Sequence, residues 1–77
     1  MSRKIKLIWD FRGPDALATA KHHTIHLKEF VTIENLTYHE IDTKEVNPML
    51  CAAFIVVDEQ DMKVYRDALK PHRGELN

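Results

Sequence analysis

The chain has little of what most small-protein chemistry is built from. Its 77 residues include one cysteine, Cys51, and one serine, Ser2. A lone cysteine makes no intramolecular disulfide and supplies no Cys-x-x-Cys pair for a thiolate metal site. Ser2 lies in the N-terminal arm, and a thiol opening an apolar strand is normally buried and inert. Nucleophilic catalysis therefore has no constellation to stand on. Two glycines make no glycine-rich phosphate loop. The net charge of −1 gives no field that would gather nucleic acid or an anionic membrane. The apolar stretch Cys51–Val57 is far too short to cross a bilayer. The opening residues Met1–Asp10 carry basic side chains without the apolar core and small-residue cleavage site of a signal peptide. These absences lead to the expectation of a cytoplasmic protein that is not an enzyme and holds no resident cofactor.

What is present is an ordinary globular composition, 44% apolar and 30% charged. The length suits one domain over residues 1–71, with 72–77 as a flexible C-terminal tail. Ile5, Leu7, Trp9 and Phe11 alternate with Lys4, Lys6, Ile8 and Asp10, the period of a strand with one buried face. Gly13-Pro14-Asp15 breaks that strand, and proline and aspartate suit a first helical turn. From Pro14 to about Glu34 the spacing becomes helical, with Leu17, Ala20, Thr24, Leu27 and Val31 forming an inner stripe. Asn35 is a natural stop. Leu36–Asp42 reads as a second strand around Tyr38 and Ile41, and Thr43–Pro48 as a polar connection. Cys51–Val57 is apolar on both alternations, the mark of a central strand covered on two faces. Asp58 is placed to cap a second helix whose inner face is Met62, Tyr65 and Leu69, and Pro71 ends it.

The order β-α-β-β-α predicts a two-layer α+β domain, a split βαβ unit equivalent to the ferredoxin-like plan without its final strand. A right-handed crossover leaves room for the third strand between the first two. The expected sheet is three-stranded and antiparallel, in order 1-3-2, with two helices on one face. A rearranged three-stranded α+β layer is the alternative.

Three surfaces follow. The sheet face away from the helices presents Ile8 and one alternation of the third strand, either Ala52-Phe54-Val56 or Ala53-Ile55-Val57. Too few elements exist to cover it, so an apolar patch around Ile8, Phe54 and Val56 is expected to face water and to act as an interface. The bland alternative is a monomer whose patch is shielded by lysine stems and the tail. Nucleic acid is not expected there, because the first strand turns no aromatic outward and the third offers only Phe54.

The second surface is the helix segment holding three of the five histidines. Helical geometry splits that cluster, setting His22, His26 and Glu29 on the outer arc and His23 at the core margin. Two histidines four residues apart can share a divalent metal, Zn²⁺ or Ni²⁺, with Glu29 as a carboxylate ligand; the bland reading is a solvated helix face. The third surface is the strand-to-helix turn, where Arg12 beside free helix-start N–H groups can take a small anion, although Asp10 and Asp15 lower the local potential. The leading expectation is a non-enzymatic module that forms a homodimer or binds another protein through the open sheet face and the first strand's unprotected edge. The alternative is a divalent-metal or small-anion binding protein using the first helix.

Overall fold

The computed structural model describes residues 3–77. The elements run β1 (Lys4–Arg12), α1 (Ala16–Ile33), β2 (Glu40–Asn47), β3 (Leu50–Asp58), a single 3₁₀ turn (Glu59–Asp61), α2 (Met62–Leu69) and β4 (Arg73–Leu76). They form one antiparallel sheet, strand order β2-β3-β1-β4, with both helices on one face.

The alternation of β1 decides which face is which. Ile5, Leu7 and Trp9 join Ile55 and Val57 of β3 under Leu27 and Val31 of α1 and Tyr65 of α2. The alternation Ala53-Ile55-Val57 is therefore the one that meets the helices. At its N-terminal half α1 comes down on the sheet through Ala16 and Ala20 against Cys51 and Ala53, with half-buried Leu17 and Phe11 packed beside them. Burial pushes the Cys51 thiol above its ordinary 9.0, which leaves it a packing residue. α1 stops where the sequence predicts. Asn35 adopts a left-handed conformation at φ 54, and the N–H groups of Asn35 and Leu36 bond back to Thr32 and Val31.

The expectation of a three-stranded sheet in order 1-3-2 is corrected by a fourth strand. Residues 73–76, expected within a flexible tail, pair with β1 in the register Ile5↔Leu76, Lys6↔Glu75, Leu7↔Gly74, Ile8↔Arg73. The physical reason lies in β1 rather than in the tail. In the expected three-stranded sheet β1 is an edge strand with a free row of N–H and C=O groups, and β4 occupies that edge, so it is not open to a partner as expected. Lys70 turns left-handed at φ 50 to close α2, and the chain after Pro71 is delivered onto that edge. The second strand also shifts, from the expected Leu36–Asp42 to Glu40–Asn47. Its partner β3 imposes that register, Glu40↔Val56 through Glu45↔Cys51, on a segment with few apolar residues of its own. Asp58 makes no side-chain cap on the turn that follows it; its carboxylate takes His39 instead.

Candidate functional site

Across the open face the register assembles three cross-strand rows. Glu75, Lys6, Val56 and Glu40 form the first, Arg73, Ile8, Phe54 and Asp42 the second, and Asp10, Ala52 and Lys44 the third. The apolar members are Ile8 of β1 and Ala52, Phe54 and Val56 of β3; the charged members lie on β2 and β4 and at Lys6 and Asp10 of β1. Ile8 is 4%, Phe54 9% and Val56 1% exposed, so the open patch expected from the sequence is already sheltered within one chain. The cover is side chain, not an element. The Lys6 ammonium stands 4.5 Å from the centroid of the Phe54 ring. Arg73 grips Asp10 at 3.0 and 3.2 Å and reaches Glu75 at 3.1 Å. That guanidinium holds the Asp10 carboxyl below its usual 3.8.

Asp10 and His72 form a contact that sequence reasoning missed. The Asp10 backbone N–H donates to His72 Nδ1 at 2.9 Å, and His72 donates its own N–H to the Ile8 carbonyl. The imidazole thus continues the sheet edge by one more hydrogen bond. A second missed pair is His39 Nε2 with Asp58 Oδ1 at 2.8 Å, at the end of β3. No spacing rule links residues so far apart in the chain; only the sheet register brings them together.

Arg12 ends β1 opposite Leu50, on the same alternation as Asp10, where its charge adds to the lowering of the Asp10 carboxyl. The helix-start turn uses donors internally: Gly13 N–H bonds to the Met49 carbonyl at 2.8 Å and Ala16 N–H to the Gly13 carbonyl at 3.1 Å. Gly13 itself sits at φ 113, a conformation that side chains rarely adopt. The anion site expected at Arg12 therefore has fewer free N–H groups than the bare turn suggests.

On α1 the split of the histidines follows helical geometry. His22 and His26 are exposed on the outer face, with their Nε2 atoms 2.9 Å apart and their rings nearly perpendicular at 81°. Glu29 lies beside the other nitrogen of His26, 3.6 Å from Nδ1, and not at the point the two Nε2 atoms share. Among the described residues no group of three or more His, Cys, Asp or Glu side chains is arranged to hold a metal ion.

His23 turns inward, its ring 4.7 Å from Trp9 and 5.6 Å from Phe11 by centroids, and its Nε2 is shut off from solvent without a partner. Burial, reinforced by the neighbouring His26, His72 and His22, pushes its pKa below 6.5. The folded chain then keeps the ring neutral while the unfolded chain takes up a proton, so stability is full above that value and falls as pH drops below it. His23→Leu is expected to raise stability by about 1 kcal/mol by removing an unpaired buried nitrogen. It is also expected to flatten the loss between about pH 7 and about pH 5, read by urea unfolding at several pH values. An unchanged pH slope in the variant would assign the acid sensitivity elsewhere.

Compared with family models, curated proteins and solved structures, the chain matches none. No helix among the described residues is long and apolar enough to cross a membrane.

Proposed function

We propose that this chain is a non-enzymatic binding module that pairs with a second copy of itself through the open sheet face. The observation that carries the reading is the charge order across that face. Consider a two-fold axis running along β3, between two stacked sheets about 10 Å apart. It lays β2 of one copy over β1 of the other while keeping the rows in register. Glu40 then meets the partner copy's Lys6, Lys44 meets its Asp10, and Phe54 meets the second Phe54. An isologous contact of this kind has to be self-complementary, and the first and third rows are, while the second stacks Phe54 on its copy and sets Asp42 over Ile8. Lys6 in the single chain lies over Phe54; in the pair its ammonium moves to the facing carboxylate and leaves its stem on the ring.

The element order β-α-β-β-α-β with strands ranked 4-1-3-2 supports reading the architecture as the complete ferredoxin-like plan, in which one sheet face has no helical layer. A free, buried cysteine suits the cytoplasmic setting proposed with it.

A charge swap tests the pairing. Lys6→Glu and Glu40→Lys are each expected to raise the dimer dissociation constant about tenfold, ~1.4 kcal/mol, and the double variant to recover it. Analytical ultracentrifugation at graded concentrations reads all three. A wild-type chain that stays monomeric at millimolar concentration, or single variants that dimerise as it does, would sink the proposal.

A further inference from the structure

The outer face of α1 holds a feature that the sheet-face reading does not use. His22 and His26 lie one helical turn apart, and the helix directs both imidazoles to the same side. We propose that His22 and His26 chelate a divalent transition-metal ion through their Nε2 atoms, with the Glu29 carboxylate holding the His26 ring from behind.

The geometry fits a chelate better than a simple helix-surface pair. Two imidazole nitrogens each about 2.1 Å from one ion, and 2.9 Å from each other as here, subtend an angle of about 90° at the metal. That is the angle between neighbouring positions of a square-planar or octahedral ion. The ring centroids, 4.5 Å apart, are closer than a straight N–H···N arrangement places them, so the ring axes are bent off the line joining the nitrogens.

Glu29 takes a role different from the one its spacing suggests. It faces His26 Nδ1, not the shared point of the two Nε2 atoms. At 3.6 Å the carboxylate is just beyond hydrogen-bond distance; closing on Nδ1 as the ion binds, it holds the proton there and leaves the Nε2 lone pair for the metal. His22 adopts the matching tautomer when the ion displaces the hydrogen bond between the rings. Water fills the remaining positions, since both His26 and Glu29 side chains are well exposed, 59% and 61%.

The donor set also ranks the ions. Two imidazoles in neighbouring positions with oxygen ligands elsewhere suit Cu²⁺ and Ni²⁺, and the general affinity order puts both at or above Zn²⁺ for such a site. The site needs no second chain, so its fate is separate from that of the dimer.

Untagged protein titrated calorimetrically with Ni²⁺ is expected to bind one ion per chain, and to gain thermal stability as the ion concentration passes the dissociation constant. His22→Gln and His26→Gln each remove saturable binding. Glu29→Gln weakens it about tenfold, the usual scale for loss of a carboxylate behind a ligating histidine. His39→Gln leaves it unchanged. The Cu²⁺-loaded protein shows electron paramagnetic resonance coupling to two equatorial imidazole nitrogens. Equal Ni²⁺ affinity in the wild type and the His22→Gln/His26→Gln double variant, or coupling to one nitrogen only, would overturn the chelate. Unaltered affinity in Glu29→Gln would overturn the carboxylate's part. All these side chains are solvent-facing, and circular dichroism confirms that each variant keeps its fold.

Discussion

Ending the chain at Pro71 is expected to cost about 2–4 kcal/mol of stability, roughly 0.5–1.5 kcal/mol for each hydrogen bond lost along β1. Three of the lost bonds run from His72 N–H to the Ile8 carbonyl, from Asn77 N–H to the Lys4 carbonyl, and from Asp10 N–H to the His72 ring, each at 2.9 Å. The Arg73 fork on Asp10 goes with them. For a domain of this size, with total stability of about 4–12 kcal/mol, that is a large fraction. The truncation also bares the outer edge of a nine-residue strand with alternating apolar side chains, so concentration-dependent aggregation is expected beside the loss of stability. Urea unfolding and light scattering check the two effects. A mobile tail would be removable at no cost, and a truncated chain as stable and as monodisperse as the full one would return residues 72–77 to that role.

The second large effect is expected at Tyr65. It is the only residue of α2 that is fully buried, and it is the main anchor of that two-turn helix beside half-buried Met62 and Leu69. Its ring stands 5.9 Å from Phe30, and its hydroxyl donates to the Thr37 carbonyl at 2.7 Å, tying α2 to the segment before β2. Tyr65→Ala is expected to cost about 3–5 kcal/mol, close to the margin of the whole fold. Tyr65→Phe keeps the ring and gives up the hydrogen bond, for about 1 kcal/mol. The pair of variants separates packing from bonding. Burial pushes the Tyr65 hydroxyl up to about 12 from an ordinary 10.0. Between those values the unfolded chain loses the proton while the folded chain retains it, so stability falls as pH rises through that window. Tyr65→Phe is expected to abolish that alkaline loss, measured by urea unfolding from about pH 9 upward.

Much of the fold is legible because its inner strands carry strong patterns. Ile5 to Phe11 alternates, Cys51 to Val57 is apolar throughout, and Asn35 stops α1 where the apolar stripe runs out. These are local signals, and they identify one antiparallel sheet under two helices. β4 has none of them. Arg73-Gly74-Glu75-Leu76 offers one apolar residue and no alternation, and it becomes a strand because β1 presents an unpaired edge. The second strand's bounds are missed for a related reason: Lys44, Glu45 and Asn47 read as loop until β3 pairs with them.

The candidate sites divide in the same way. The four-residue spacing of His22 and His26 is visible in sequence, and helix geometry alone sends His23 to the other side. The place of Glu29 behind His26, the sheltering of Ile8, Phe54 and Val56 by charged stems, and the His72 contact all depend on side chains meeting across the fold.

The pairing of β1 with β4 also sets an order of assembly. β2 and β3 are joined by a short turn, and hairpins of that kind close within about 1–10 μs. β1 precedes the other three strands in chain order, yet one of its edges waits for β3 and the other for β4. Asp10 and Arg73, which clasp across that last edge, are separated by 63 positions in the chain. Closing so long a loop costs entropy before the small gain from four exposed residues is collected. The first of these four strands in chain order is therefore the last to be sealed on both sides.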